Sequence, residues 1–294
     1  MEDTTITIDA CGKINLGLDV VRKREDGYHE LDMVMQTVGL YDTLTFTKVE
    51  EKEIVLTSKS RGIPVDQRNL VYKAAQLMMD TYGLEGGIHI DIKKRIPVAA
   101  GMAGGSSDCA ATIKAMNQLW NLNLSIEDMQ HIGVKLGADV PYCIIGGTAR
   151  AQGIGDILTP LPDAPWCYIL LVKPPIRVST RFVYGNLRAN ELTQHPDMNG
   201  VVAAIEEGNV FKMAKKIENV LETVTIPAHP EIAEIKTRLQ QLGAIKALMS
   251  GSGPTVFGVF TNGRKARQAC MQLREEIPSH LVFLTRAVGE DKRR

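Results

Sequence analysis

The five cysteines, at positions 11, 109, 143, 167 and 270, are odd in number and form no C-x-x-C pair. That argues against a disulfide framework and a cysteine-based zinc site. The six histidines are scattered, without an H-E-x-x-H or similar spacing, so no metal ligands are assigned from sequence. Neither sign of charge is in excess: Lys plus Arg and Asp plus Glu number 34 each. A neutral balance gives no general pull toward nucleic acid or a membrane surface, although K-K-R at Lys93 to Arg95 leaves room for a local patch. No apolar run approaches transmembrane length. The start, M-E-D-T-T-I-T-I-D, is acidic and has no apolar core of a signal peptide. Repeats, low-complexity segments and heptads are absent too. The expectation is a protein of the reducing cytoplasm, long enough at 294 residues for two ordinary domains.

What is present is a mixture of strand and helix patterns. Ile6 and Ile8 alternate, then Ile14, Leu16, Leu18 and Val20. Further strand candidates are Asp32 to Val38, Leu44 to Val49 and Glu53 to Thr57. A helix is predicted from Leu70 to about Tyr82, with Asn69 as N-cap and Gly83 after its end. Ser125 and Asp128 read as a capping box opening another helix that ends at Gly137. Prolines concentrate in L-T-P-L-P-D-A-P, so a boundary is expected there, dividing the chain into residues 1–160 and 161–294. Beyond it come a strand at Cys167 to Val172 and helical stretches Val201 to Ile205 and Val210 to Val224. Then follow a helix at Glu231 to Leu242, strands Ala244 to Met249 and Thr255 to Phe260, a helix Lys265 to Glu276 and a strand Leu281 to Arg286. With the middle helices taken as one layer, the order is β-α-β-β-α-β, the ferredoxin-like order. The fold class is α+β.

The densest signal is P-V-A-A-G-M-A-G-G-S-S-D, Pro97 to Asp108. An alternating strand with Ile88, Ile90 and Ile92 precedes it, and a helical pattern through Ala110, Ile113, Met116 and Trp120 follows. Small residues let a backbone approach a ligand, and a helix start presents free N–H groups. That arrangement suits a polyphosphate. It is neither a Walker A loop, for lack of the lysine, nor a G-x-G-x-x-G fingerprint. A tight turn feeding a helix, with Ser107 or Asp108 as N-cap, accounts for the loop equally well.

Four other segments carry candidate chemistry. In G-K-I-N-L-G-L, Lys13 and Asn15 share one face of a strand and Ile14, Leu16 and Leu18 the other. They are a solvated outer face or, if buried, a pair needing partners. In G-A-D-V-P, Asp139 stands just past a helix C-terminus, where the dipole disfavours a carboxylate. It is a turn residue or the partner of a cation, and pairing with Lys13 would account for both. A carboxylate that takes a hydroxyl proton and an ammonium that stabilises the alkoxide suit phosphoryl transfer to an alcohol. Asp26-Gly27 is a turn signal, with Tyr28 and His29 beside it as a bare hairpin edge or a site for a planar base. S-G-S-G-P, Ser250 to Pro254, is a hairpin turn or a second glycine loop.

Taken together, G-K-I-N-L, D-G-Y-H-E, P-V-A-A-G-M-A-G-G-S-S, G-A-D-V-P and G-S-G-P-T-V-F-G resemble the GHMP kinases, which include galactokinase, homoserine kinase and mevalonate kinase. The resemblance spans residues 11 to 260 or so. It implies a two-domain kinase fold, with an N-terminal mixed α/β ATP-binding domain and a ferredoxin-like C-terminal domain on the substrate side. It implies that Pro97, Val98, Ala99, Ala100, Gly101, Met102, Ala103, Gly104, Gly105, Ser106 and Ser107 hold the ATP phosphates. Asn69 and Lys94 would line the adenine nucleotide site. Asp139 would be the catalytic base, Lys13 its electrostatic partner, and Asn15 a ligand near the reacting hydroxyl. K-I-N-L and D-G-Y-H-E point to the members that act on a cytidine diphosphate-linked polyol. There Tyr28 and His29 would hold the cytosine, Tyr184 would add a second aromatic with Thr180 nearby, and Gly251, Ser252 and Gly253 would face the substrate. Mg²⁺ would accompany ATP, with Ser106 or Ser107 and water completing its shell.

The departures from the family pattern are small. Gly12 replaces the alanine of A-K-I-N-L, and Tyr184 stands for a phenylalanine. Ala99, Ala100 and Ala103 replace glycines, so these positions are expected to have ordinary φ. Two other readings remain open: a kinase of the same family for another small alcohol such as homoserine, and a catalytically idle nucleotide-binding regulator.

Overall fold

Two long strands begin the chain, β1 (Thr5–Lys23) and β2 (His29–Val49), joined by a tight turn. The Asp26-Gly27 turn forms as its sequence demands. Gly27 takes φ +86°, the Arg24 N–H donates to Tyr28 O at 2.8 Å, and Asp26 Oδ1 accepts from the Tyr28 N–H at 3.0 Å. The sequence pattern divides β2 into two stretches, but it is one strand of 21 residues. Burial on its inner face continues unbroken through Leu40, Asp42, Leu44 and Phe46.

The computed structural model describes residues 4–60 and 62–289. They group into two compact units, each assembled from separated segments. The first holds residues up to Gly12, Leu40–Val98 and Ala103–Ile145; the second holds Lys13–Gly39, Ala99–Met102 and the residues from Gly146 on. The proline-rich segment near residue 160 lies inside the second unit.

In the first unit β3 (Ile54–Thr57) pairs in parallel with β4 (Gly87–Lys93), and β4 pairs antiparallel with Thr43–Val49 of β2. Ile88, Ile90 and Ile92 point inward as their alternation predicts. Against them pack α1 (Leu70–Tyr82) and α2 (Gly104–Leu119), with α3 (Ile126–Val134) and α4 (Val140–Ile145) completing the unit. Each fully buried Phe, Ile or Met contributes about 1.5–3 kcal/mol. The predicted caps are present. Asn69 Oδ1 accepts from the Val71 N–H at 3.0 Å, Gly83 is left-handed, and Ser125 with Asp128 forms the capping box.

In the second unit Leu31–Gln36 of β2 pairs antiparallel with β5 (Thr148–Gly153), and β5 pairs with β6 (Ile157–Leu161). A second sheet contains β7 (Tyr168–Lys173), β8 (Lys246–Met249), β9 (Val256–Phe260) and β10 (Leu281–Arg286). Its order is β10-β7-β9-β8, antiparallel throughout, which is the ferredoxin-like arrangement. Between β7 and β8 run α5 (Thr180–Asn186), α6 (Met198–Glu206), α7 (Val210–Lys216), α8 (Glu222–Ala228) and α9 (Glu231–Gln241). α10 (Gly263–Glu276) precedes β10. The helix expected over Val210 to Val224 is broken. Residues 217–221 leave the helix and bond to β1, because backbone pairing with Leu18 replaces the helical ladder there.

Candidate active site

The glycine-rich loop enters α2 by a left-handed step. Ala103 is the N-cap at φ +53°, and Ala99 sits at φ +51°. Both alanines were expected to have ordinary φ and do not; the surrounding contacts impose a conformation that costs an L-residue roughly 1–2 kcal/mol. Ala100 is free of this strain. The helix starts at Gly104, earlier than the Ser107 or Asp108 cap allows. Ala103 makes no side-chain cap bond and the first turn carries no acidic residue. The first N–H groups of the helix therefore lack intrahelical acceptors, an arrangement that suits an anion. Ser106 is half-buried, while the Ser107 hydroxyl is buried and donates to Cys11 O at 2.6 Å. Pro97 and Val98 lead in from the end of β4, with Val98 exposed. A Cβ on Gly137 would stand 4.0 Å from Ser106 Oγ, so the G-A-D-V-P segment lies beside this helix start.

Lys94 is held in a buried ion cluster. Its ammonium bonds to Asp42 Oδ2 and, at 2.8 Å, to Asp108 Oδ2 in α2. Asp42 Oδ1 accepts from the Arg95 N–H at 2.5 Å and the Ile96 N–H at 2.9 Å. Burial opposes the charge on Lys94, but the carboxylates of Asp108 and Asp42 outweigh it and raise its pKa. Burial pushes the Asp108 carboxyl up to about 7, against the attraction of Lys94. Asp108 Oδ1 is buried with no hydrogen-bond partner among the described residues. The cluster ties the entrance of the loop at residues 94–96 to its exit in α2. Asn69 is also committed: its Nδ2 donates to Pro64 O at 2.7 Å while its Oδ1 caps α1.

Asp139 is half-buried and stands directly before α4, where its carbonyl accepts from the Cys143 N–H at 3.1 Å. The expectation placed it after a helix C-terminus; α3 ends earlier, at Val134. The nearer dipole is the N-terminus of α4, which favours the carboxylate. Lys13 and Asp139 fall in different units.

In the second unit Lys13 and Asn15 are both buried, not a solvated face. Lys13 Nζ donates to Asn15 Oδ1 at 2.7 Å, and Asn15 Nδ2 lies 3.6 Å from Met33 Sδ. The Lys13 N–H donates to Met102 O at 3.0 Å, fixing the strand to the glycine loop. Ser250 to Pro254 is a hairpin turn between β8 and β9, and it is also a glycine loop in contact with these residues. A Cβ on Gly251 would lie 3.4 Å from Asn15 Oδ1 and 3.7 Å from Lys13 Nζ. A Cβ on Gly101 would run into the Ser250 carbonyl oxygen, and Ser250 Oγ donates to Gly101 O at 3.0 Å. Thr180 and Ser252 share a hydroxyl hydrogen bond of 2.9 Å.

Tyr28 is exposed at the β1–β2 turn. The rings of His29 and Tyr184 stand 5.3 Å apart at 47°. His29 Nε2 is shielded from solvent and has no partner among the described residues. Burial, with a smaller contribution from Lys23, lowers the His29 pKa, so the imidazole is neutral at pH 7. Sequence reasoning missed Asp42 and Asn219. Asp42 was legible: it continues the inward face Leu40, Leu44, Phe46 at period two, where a lone carboxylate needs a partner.

Residues 69–147 match the GHMP kinases N terminal domain, and residues 201–279 match the GHMP kinases C terminal region. The 4-diphosphocytidyl-2-C-methyl-D-erythritol kinase of Lachnoclostridium phytofermentans is 50% identical over 281 residues, covering 96% of this chain and 97% of that protein. A crystal structure of 4-(cytidine 5'-diphospho)-2C-methyl-D-erythritol kinase superposes with TM-score 0.84 at 32% identity, over 97% of this chain and all of that one. Homoserine kinase from Cytophaga hutchinsonii shares the fold, with TM-score 0.78 at 18% identity over 98% and 96% of the two chains. Sequence and fold agree across nearly the whole length, and the chain belongs to the GHMP kinases, among the 4-diphosphocytidyl-2-C-methyl-D-erythritol kinases.

Proposed function

We propose that the chain transfers the γ-phosphoryl group of ATP to the 2-hydroxyl of 4-diphosphocytidyl-2-C-methyl-D-erythritol, a step in the non-mevalonate route to isoprenoid precursors. The observation that carries the substrate assignment is the shielded, partnerless Nε2 of a neutral His29 beside Tyr184. A neutral imidazole edge can hydrogen-bond a cytosine, and Tyr28 and Tyr184 offer faces on which the base stacks. Thr180 and the Gly251–Gly253 turn bound the substrate side.

The residues from Pro97 to Ser107 hold the phosphates, with Asn69 and Lys94 on the adenine side. The open N–H groups at the start of α2 supply the electrostatics. The substrate hydroxyl oxygen bonds to the γ-phosphorus as the bridging bond to the β-phosphate breaks, releasing ADP. Asp139 takes the hydroxyl proton, the Lys13 ammonium stabilises the developing alkoxide, and Asn15 orients the hydroxyl. Mg²⁺ neutralises phosphate charge in such transfers. Among the described residues no three Asp, Glu, His or Cys side chains cluster to hold a metal. A cation held by phosphate oxygens, water and the Ser106 hydroxyl fits this donor set. No helix among the described residues is long and apolar enough to cross a membrane, and we assign the protein to the cytoplasm.

Coupled ADP-release assays test the reading. Turnover is expected with 4-diphosphocytidyl-2-C-methyl-D-erythritol and not with homoserine. Tyr28→Ala should raise KM for the cytidine substrate about 10-fold, the worth of one base stack, and leave KM for ATP unchanged. Equal turnover of homoserine, or a Tyr28→Ala effect confined to ATP, refutes it.

A further inference from the structure

The non-helical segment 217–221 holds a buried amide that neither strand nor helix pattern accounts for. Asn219 is 5% exposed. Its Nδ2 donates to Met249 O at the end of β8 and to Gly251 O in the β8–β9 turn, each at 2.8 Å. Its Oδ1 accepts from the Leu221 N–H at 2.9 Å. The backbone on either side is bonded to β1: the Leu18 N–H donates to Glu218 O at 2.9 Å, and the Val220 N–H donates to Leu18 O at 3.0 Å. One residue thus joins the strand that carries Lys13 and Asn15 to the turn that lies against them.

We propose that Asn219 is a positioning residue for phosphoryl transfer, holding the second glycine loop in register with Lys13 and Asn15. The inference rests on the assignment of those two residues to the reacting hydroxyl. Both hydrogens of the amide are spent on backbone carbonyls, and only a primary amide on a short stem offers two donors and one acceptor in this geometry. Gly251 itself sits at φ +57°, which glycine reaches without strain, so the turn has no side chain of its own there to fix its position. A carboxylate in place of the amide would face two carbonyl oxygens and push the loop away. Displacing reactive groups by about 1 Å lowers turnover by about 10²-fold.

The test is steady-state kinetics on Asn219→Asp, which keeps the shape and the acceptor but loses both donors, and on Asn219→Ser, with thermal melts of each. In a folded variant kcat should fall about 10²-fold while KM for ATP changes by less than about 3-fold. Combined with Lys13→Met, Asn219→Asp should add little further loss, because groups that act as a unit are not additive. Wild-type kcat in either folded variant, an effect confined to KM for ATP, or losses that multiply in the double variant would overturn the proposal. So would failure of both variants to fold, which would make Asn219 a purely structural residue. Near-normal turnover in Lys13→Met alone refutes the assignment of Lys13 and is read separately from the Asn219 variants.

Discussion

Replacing Lys94 by methionine keeps most of the apolar stem, removes the ammonium, and leaves Asp42 and Asp108 facing each other in the interior. Breaking a buried ion pair by removing one partner costs about 3–5 kcal/mol. The size of this loss should depend on pH in a direction that the cluster fixes. In the wild-type chain Asp108 has a carboxyl raised to about 7, first by burial, with Lys94 pulling it down and Asp42 pushing it up. A raised carboxyl stabilises the fold below its unfolded value, near 4, and that contribution is lost as pH rises through about 7. Without Lys94 the largest force lowering this pKa is gone, so the variant retains the proton to still higher pH. Below about pH 6 the carboxyl is protonated in both proteins, and the stability gap is at its smallest. Above about 7 the wild-type chain ionises and the variant does not, so the gap widens by about 1.4 kcal/mol per pH unit. Between pH 6 and 8.5 the added gap is about 2 kcal/mol, or roughly 4–8 °C in Tm for a chain of this size. Urea unfolding and thermal melts of both proteins at the two pH values measure it. A gap that stays constant, or that narrows above pH 7, refutes the protonated-carboxyl account of Asp108.

Asp139→Asn should lower kcat by about 10² or more in a folded protein, and Lys13→Met should depress turnover while sparing ATP affinity; normal turnover in the first, or loss of ATP affinity alone in the second, contradicts the roles assigned. Ala103→Gly should stabilise the chain by up to about 1 kcal/mol, because glycine adopts φ +53° without the Cβ clash; glycine's greater entropy in the unfolded chain offsets part of the gain. A loss of about 0.5–1 kcal/mol, the full entropic cost of a glycine, would show that the left-handed cap carries no strain.

The parts of the fold that were legible in the sequence are those fixed by local chemistry. Asn69, Ser125 with Asp128, and Asp26-Gly27 each act within a few residues, and each forms the cap or turn that its spacing dictates. The C-terminal strand order follows from a four-strand pattern with few alternatives. The misses all come from distant partners. Residues 217–221 carry side chains that a helix would accept, but Leu18, about two hundred positions away, takes their backbone bonds. Ala99 and Ala103 look incompatible with positive φ until the contacts of the loop are known. In the site, the residue types of Lys13, Asn15 and His29 were readable, and their burial was not. Lys94 was read from resemblance as a nucleotide-side residue, while its two buried carboxylates, 52 and 14 positions away, leave no trace at short range.

The strands β1 and β2 each begin in one unit and continue into the other. During synthesis this sets an order of events. Once residue 145 has left the ribosome, the first unit has all its segments. Residues 13–39 have already emerged and β5, which pairs with Leu31–Gln36, follows directly, yet the Asn219 segment, which pairs with Leu18, lies about a quarter of the chain further on. A nascent chain therefore carries an apolar hairpin with the β1 edge open while about a quarter of its length is produced, the condition under which chaperones engage and aggregation competes. The lysine and the asparagine that we assign to catalysis lie on that waiting hairpin, so the enzyme acquires its chemistry only when translation is nearly complete.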